Sequence, residues 1–236
     1  MENLFGKSKT KVDHETSEHW VSVSDLMSGL MMVFLFISIA LMRHALIERD
    51  KIKEVAVAYQ SNQVALYDQL QKEFAPDLKR WNAEIDRDTL SFEFKSPDIL
   101  FGLGSSTMKS QFKEVLSDFF PRYMRVLNTF KDSINEVRIE GHTSSQWNVG
   151  ASPEEAYFKN MELSQSRTRS VLLFVQGLKA TGEVQSWVRR NVAAVGLSSS
   201  RPVLDESGKE DPERSRRVTF RVISNAETQI RKLIQD

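Results

Sequence analysis

Cysteine is absent from this chain of 236 residues, and glycine and proline are few, with 10 and 6 residues. Without cysteine the protein has no disulfide framework, no cysteine-ligated zinc or iron–sulfur cluster and no cysteine nucleophile. The chain also has no net charge, because 32 basic residues balance 32 acidic ones. Proteins that bind nucleic acids normally carry a basic excess, so this balance argues against nucleic acid as a partner.

One long hydrophobic run interrupts the polar sequence. The segment 21–42 contains a single charged residue, Asp25. Its length matches the about 20 residues that an α-helix needs to cross the hydrocarbon core of a bilayer. Trp20 directly precedes it, at the place of an interfacial aromatic anchor. We therefore expect a transmembrane helix over 21–42 after a short tail, 1–20.

Two other interpretations of this run are a cleaved signal peptide and a helix buried in a soluble core. A signal peptide would have a shorter apolar region followed by small residues, whereas this run continues into Arg43 and His44. Basic residues flank the run on both sides, so the positive-inside rule does not give its orientation.

A helical stalk is predicted over 43–87, which is charged, nearly free of glycine and contains one proline, Pro76. Apolar residues recur there every three or four positions, as on one face of a helix. They are Leu66, Leu70, Phe74, Leu78, Trp81 and Ile85. A second set approximates a heptad seam with a polar break and consists of Ile52, Ala56, Tyr59, Gln63, Leu66 and Leu70. These patterns fit either a parallel two-chain coiled coil, which would make a homodimer, or one amphipathic helix folded onto the next domain.

The remainder of the chain mixes two periods. Alternating polar and apolar residues predict half-buried strands at 90–95, 137–140 and 218–222. Apolar residues at helical spacing predict amphipathic helices around 112–120 and 171–178. Interleaved strands and helices indicate an α+β fold, an α/β sandwich in which helices cover one face of a small sheet.

Several motifs in this region follow the order found in the OmpA-like peptidoglycan-binding domain. They are VRIEGHTSS at 137–145, NMELS at 160–164 with Arg167, Val195-Gly196 with Pro202, and ERSRRV at 213–218. The chain from 88 to 225 resembles this domain, which leaves a C-terminal tail, 226–236.

The resemblance implies a groove that receives the peptide stem of peptidoglycan. The residues at the matching positions are Thr143, Ser144, Asn160, Leu163, Arg167 and Arg217. Arg167 would pair with the carboxylate of the diamino acid, a task that suits a planar guanidinium fork. The family usually has an aspartate after GHT to bind the amino end of the ligand, but Ser144 stands there. Serine forms hydrogen bonds and brings no charge to an ammonium group.

The apolar run carries a second resemblance. The segment WVSVSDLMSGLMMVFLF at 20–36 is similar to the start of MotB-type stator subunits, in which a tryptophan precedes an intramembrane aspartate. The combination of this span with a wall-binding domain implies an inner-membrane protein with a cytoplasmic N-terminus and a periplasmic C-terminal domain. It also implies two copies of the chain inside a ring of five MotA-like or ZorA-like multi-span subunits.

Asp25 is the candidate ion carrier. An aspartate at the centre of a membrane helix costs on the order of 2.5 to 3.5 kcal/mol on insertion scales, so its presence there points to function. The alternative is a cap at the helix N-terminus. By the resemblance, Asp25 binds and releases the transported ion. We expect a proton rather than sodium, although the hydroxyls of Ser22, Ser24 and Ser28 would suit sodium, and we expect no bound cofactor.

Two features resemble the ZorB subunits of Zorya anti-phage defence motors: the helical stalk, and the sequence GHTSS at 141–145, in which serine replaces the usual aspartate. The alternatives are a flagellar MotB-type stator subunit, a TolR-like energy transducer and a passive peptidoglycan anchor that conducts no ion.

Enzymatic activity is not expected. No G-x-S-x-G elbow surrounds Ser144 or Ser145 near His142, and in the OmpA-like pattern this histidine is a structural residue at a strand end. The other histidines are too scattered in sequence for a metal site.

Overall fold

A computed structural model describes most of the chain and divides it into two units between Glu54 and Val55. The described residues are 13–95, 100–102, 104–178, 182–226 and 228. The predicted N-terminal tail up to residue 12 and most of the predicted tail 226–236 lie outside the described residues.

Helix α1 (Asp13–Leu78) contains the whole apolar run. The large apolar side chains from Leu26 to Met42 are all exposed, from 46% at Ile39 to 76% at Met31. Among the described residues, α1 is the only helix long and apolar enough to cross a membrane, with a mean hydropathy of 2.2 in its most apolar window. An apolar surface of this extent is stable in lipid or against another protein.

The second unit is built on one five-stranded sheet. Its strands are β1 (Ala83–Asp86), β2 (Ser91–Lys95), β3 (Ile134–His142), β4 (Val192–Gly196) and β5 (Arg217–Ser224). Their order across the sheet is β1-β2-β5-β3-β4. Strands β3 and β4 pair in parallel, and all other neighbours are antiparallel. The connecting helices are α2 (Ser110–Thr129), α3 (Pro153–Gly177), α4 (Gly182–Asn191) and the short α5 (Pro212–Ser215).

Alternation along the strands gives the sheet one apolar face and one charged face. On the apolar face Phe92 lies beside Phe220, which lies beside Ile139 on β3. Helices α2 and α3 contribute further buried side chains to the core, namely Phe112, Leu116, Phe119, Phe120, Tyr123, Leu127, Val171 and Val175. The Phe119 ring lies 4.5 Å from Phe92 and 5.1 Å from Phe220 between centroids. The predicted α+β fold is confirmed.

The structure moves the boundary between stalk and globular domain, which the sequence placed at residue 87. Helix α1 ends at Leu78, and β1 pairs with β2 in the sheet. Asn82, with φ of 49°, takes the left-handed conformation in the turn between them. Trp81 and Ile85 continue the three-to-four spacing and are buried as expected. The pattern alone therefore did not reveal that the chain had turned from helix to strand.

The last turns of α1 belong to the domain core. Leu66, Leu70 and Phe74 are 3%, 0% and 0% exposed. Arg122 of α2 donates from Nε to Glu73 Oε1 at 2.7 Å and from Nη2 to the Glu73 carbonyl at 2.7 Å. Its guanidinium carbon also lies 4.8 Å from the centre of the Phe74 ring. For this part of the stalk, the structure supports a helix folded onto the domain.

Cutting the chain at the predicted boundary should therefore prevent folding. We expect the fragment 55–236 to unfold cooperatively, whereas the fragment 89–236 loses β1 and the buried end of α1 and stays unfolded.

Within the longer fragment, Phe74→Ala should lower the free energy of unfolding by about 3 to 5 kcal/mol. Val57→Ala, at a side chain that is 57% exposed on the same helix, should change it by less than about 0.5 kcal/mol. Urea unfolding followed by circular dichroism measures both; cooperative unfolding of 89–236 would contradict this account.

Candidate functional site

Two glycines let α3 approach the sheet closely. Gly141 of β3 and Gly196 of β4 are register neighbours. A Cβ atom on Gly141 would lie 2.8 Å from the Ser164 carbonyl oxygen, and one on Gly196 would lie 2.5 Å from the backbone nitrogen of Gln165. Real Cβ atoms do not make such contacts, so only glycine permits this packing. The close approach places the NMELS segment and Arg167 against the end of β3.

The loop after β3 is fixed to α3 and to the loop after β4. The backbone N–H of Thr143 donates to the Ser198 carbonyl at 2.9 Å. The side-chain amide of Asn160 donates to the carbonyls of Ser144 at 3.1 Å and Gln146 at 3.0 Å. Asn160 is 3% exposed, so its amide orders this loop. The hydroxyl of Thr143 is buried and has no hydrogen-bond partner among the described residues, so it is a polar atom that a ligand or water at this loop would satisfy.

Arg167 lies on the same helix and reaches a segment that sequence reasoning did not include. Its Nε donates to the Ser105 carbonyl at 3.0 Å and its Nη2 to the Gly102 carbonyl at 3.4 Å. The guanidinium carbon lies 5.0 Å from the centre of the Phe101 ring. Gly102 and Ser105 therefore pack against Arg167, which is 6% exposed. No local motif in the sequence marked this segment.

The structure brings together five of the six predicted wall-binding residues. Asn160, Leu163 and Arg167 recur at three and four positions and so share one face of α3, with Leu163 half-buried. Asn160 in turn holds the loop that contains Thr143 and Ser144.

The sixth residue, Arg217, does not join this group. It is the register partner of His142 and alternates with the buried Val218, which places its side chain on the charged face of the sheet. Its Nη1 donates to the Ser215 carbonyl at 3.1 Å, and its Nε lies 3.8 Å from Glu93 Oε1.

His142 is enclosed on the charged face at the end of β3, where it is 4% exposed. Its Nε2 lies 3.6 Å from Glu140 Oε2. Burial lowers the pKa of His142 and outweighs the opposing effect of Glu140, while the positive charge of Arg217 lowers it further. Burial raises the pKa of Glu140, but His142, Arg221 and Arg201 outweigh it, so this pKa lies below its ordinary value. This is a structural charge cluster within the sheet.

Glu210 is a residue near the loop that the sequence did not single out. The backbone N–H of Ser145 donates to its Oε1 at 3.0 Å and to its Oε2 at 3.2 Å. The two residues are 65 positions apart, and no sequence motif connects them. Only the fold brings this carboxylate to the GHTSS loop.

Asp25 lies inside α1, about three turns beyond its first residue, Asp13. It is therefore not a cap of this helix. Ser22, Asp25 and Ser28 are spaced three apart and share a helix face. The Ser28 hydroxyl donates to the Ser24 carbonyl at 2.7 Å. Among the residues that the structure describes, no cluster of three histidine, aspartate or glutamate side chains is arranged for a metal ion.

Similar solved structures include the cell wall anchor of the T6SS from Pseudomonas aeruginosa, with 23% identity and a TM-score of 0.45 over 66% of this chain and 96% of that one. A putative MotB like protein from Desulfovibrio vulgaris aligns at 19% identity and a TM-score of 0.48, covering 75% of this chain and 94% of its own. No family model matches the chain.

Two curated proteins are similar over nearly the whole sequence. The Zorya protein ZorB of Escherichia coli O139:H28 (strain E24377A) is 22% identical over 240 residues, which cover 93% of this chain and 86% of that protein. The Zorya protein ZorB of Escherichia coli strain ATCC 8739 is 58% identical over 236 residues, which are 100% of both chains. An identity this high over the full length of both proteins shows that the chain belongs to the ZorB family of Zorya proteins.

Proposed function

We propose that this chain is the wall-anchored, ion-carrying subunit of a membrane motor in Zorya anti-phage defence. The observation that carries the proposal is Asp25, the single charged residue in the apolar segment 21–42 of a ZorB-family chain. An acidic residue inside a membrane span is costly and is normally retained for a function.

Asp25 carries the transported ion, with a proton preferred to sodium. Protonation neutralises the carboxylate, which favours a low-dielectric environment, and release restores a charge that must find a polar partner. The two states therefore favour different packing against neighbouring helices. A proton that crosses about 100 mV releases about 2.3 kcal/mol, which suffices for a small conformational step.

In the membrane, the exposed apolar side chains of α1 contact other membrane helices as well as lipid. In the proposed assembly, two copies of this helix lie inside a ring of five ZorA-like multi-span subunits, and Asp25 faces the boundary between pair and ring. The span enters from the cytoplasm, so that the second unit lies in the periplasm.

The second unit holds the cell wall, which stops this subunit from turning with its partners. Support comes from the placement of Thr143, Ser144, Asn160, Leu163 and Arg167 around one loop and one helix face. Nε and Nη2 of Arg167 donate to backbone carbonyls, so the proposed pairing with a ligand carboxylate relies on the positive charge of its guanidinium.

Membership in the ZorB family supports defence over flagellar motility. A passive wall anchor would account for the second unit. It gives no reason for an aspartate inside the span, and the α1 boundary argues against a capping role for Asp25.

The proposed topology is tested by cysteine labelling, which has no background because the chain has no cysteine. Ser117→Cys, at an exposed position of α2, should react with a membrane-impermeant thiol reagent applied from the periplasmic side. Ser8→Cys should react only after the inner membrane is permeabilised. The reverse pattern would contradict the topology and with it the motor.

Wall binding is tested by co-sedimentation of the fragment 55–236 with purified peptidoglycan. Arg167→Ala should weaken binding by roughly tenfold or more, because a charge-assisted pair worth about 1.5 to 3 kcal/mol is lost. Arg169→Ala, at an exposed position on the same helix, is the matched control and should bind like the unmodified fragment. Thermal unfolding shows whether each variant is folded. If a folded Arg167→Ala fragment binds undiminished, Arg167 is not in the site.

Ion carriage is tested by Asp25→Asn, which keeps the size of the side chain and removes its titratable proton. We expect assembly with the partner ring to persist and phage protection to be lost. Asp25→Glu should retain some activity, since its carboxylate remains but is displaced by one methylene. Asp50→Asn, at an exposed acidic position of α1, should protect normally. Protection assays beside a pull-down of the partner measure both properties, and full protection by a normally assembled Asp25→Asn complex would rule out Asp25 as the carrier.

A further inference from the structure

A carboxylate from a distant part of the chain lies at the loop where serine occupies the position of the usual aspartate. Ser145, which follows Ser144 directly, donates its backbone N–H to both oxygens of Glu210, at 3.0 Å and 3.2 Å. Its hydroxyl bonds to Oε2 of the same carboxylate. The loop therefore lacks an acidic residue in sequence but has one beside it in space.

A small hairpin sets the position of Glu210. Leu204 and Glu210 form an antiparallel bridge, and Asp205 N donates to the Lys209 carbonyl at 2.7 Å. The Asp205 carboxylate accepts from the backbone N–H groups of Ser207 at 2.8 Å and Lys209 at 3.1 Å. Because the hairpin closes on its own hydrogen bonds, Glu210 does not depend on Ser145 alone for its placement.

The Glu210 carboxylate keeps capacity for a ligand. A carboxylate offers about four lone-pair sites, and the N–H and O–H groups of Ser145 are two donors. The side chain is half-buried, so part of it faces solvent. An ammonium group at this position would form a charge-assisted hydrogen bond, which is stronger than a bond between neutral groups.

The position of Glu210 complements that of Arg167. The loop that binds Glu210 is tied to α3 through Asn160, whose amide donates to the Ser144 carbonyl at 3.1 Å. Arg167 follows Asn160 by two helical turns, which is about 10 Å along the helix axis. Glu210 is thus joined to α3 through the loop of Ser144 and Ser145, and Arg167, which is 6% exposed, lies on α3 itself. A ligand group that carries both an ammonium and a carboxylate matches this arrangement of charges.

We propose that Glu210 binds the ammonium group of the peptidoglycan diamino acid and so takes the place of the aspartate absent at position 144. The proposal rests on the wall binding proposed above and adds to it the residue that recognises the amino end of the ligand.

The test uses the full-length protein in detergent micelles and two preparations of purified peptidoglycan, one native and one with its free amines chemically acetylated. Glu210→Gln keeps an oxygen that can accept from Ser145 and removes the charge. We expect it to bind native peptidoglycan at least about tenfold more weakly than the unmodified protein, as for loss of a charge-assisted bond. Glu206→Gln, at an exposed position of the same hairpin, is the matched control and should bind normally.

Acetylation separates recognition of the ammonium from a merely structural role. Binding of the unmodified protein should fall to a similar extent on acetylated peptidoglycan, and Glu210→Gln should show no further fall. Adding Ser144→Asp to Glu210→Gln should restore binding to native peptidoglycan. If Glu210→Gln binds as well as the unmodified protein, or stays as sensitive to acetylation, the role of Glu210 is refuted while wall binding stands. If the unmodified protein binds neither preparation, wall binding fails and the role of Glu210 fails with it.

Discussion

Burial of the last turns of α1 against the aromatic core is the constraint on which the second unit depends. Phe74 lies 5.2 Å from Phe92 and 5.3 Å from Phe119 between ring centroids, so helix, sheet and α2 meet at one cluster. Arg122 of α2 also donates a hydrogen bond to the Glu73 carboxylate of α1. Since a packed core tolerates few missing groups, the end of α1 from Leu66 onward is a structural part of the domain.

The candidate groove depends on a second packing constraint, the contact of α3 with two strand ends that bear glycine. Because no side chain separates Gly141 and Gly196 from the α3 backbone, Asn160 can reach the loop after β3. The same helix carries Arg167 two turns later. The chemistry of the groove therefore follows from a backbone approach that only the smallest residue allows. The charged face of the sheet, with His142 and Glu140, is a separate cluster.

Much of the fold was predictable from the printed sequence. The spacing of apolar residues predicts five elements, because each buries one face. They are strands β2, β3 and β5 and helices α2 and α3. Strands β1 and β4 were not predicted. The region of β1 continues the helical spacing of apolar residues from Trp81 to Ile85, and β4 is a short run, VAAVG, in which polar and apolar residues do not alternate. In the candidate site, motif order found Asn160, Leu163 and Arg167, whereas the segment of Gly102 and Ser105 carries no motif.

The sequence by itself determined the apolar run, the isolated Asp25 within it and the order of the wall-domain motifs, because these are local patterns of hydropathy and residue type. Tertiary structure alone decided where the stalk ends, that Arg217 lies on the face opposite α3, and that Glu210 reaches Ser145 across 65 positions. These facts depend on strand pairing and on the contact between Ser145 and Glu210. Both join residues that are far apart in the chain, which no local pattern encodes.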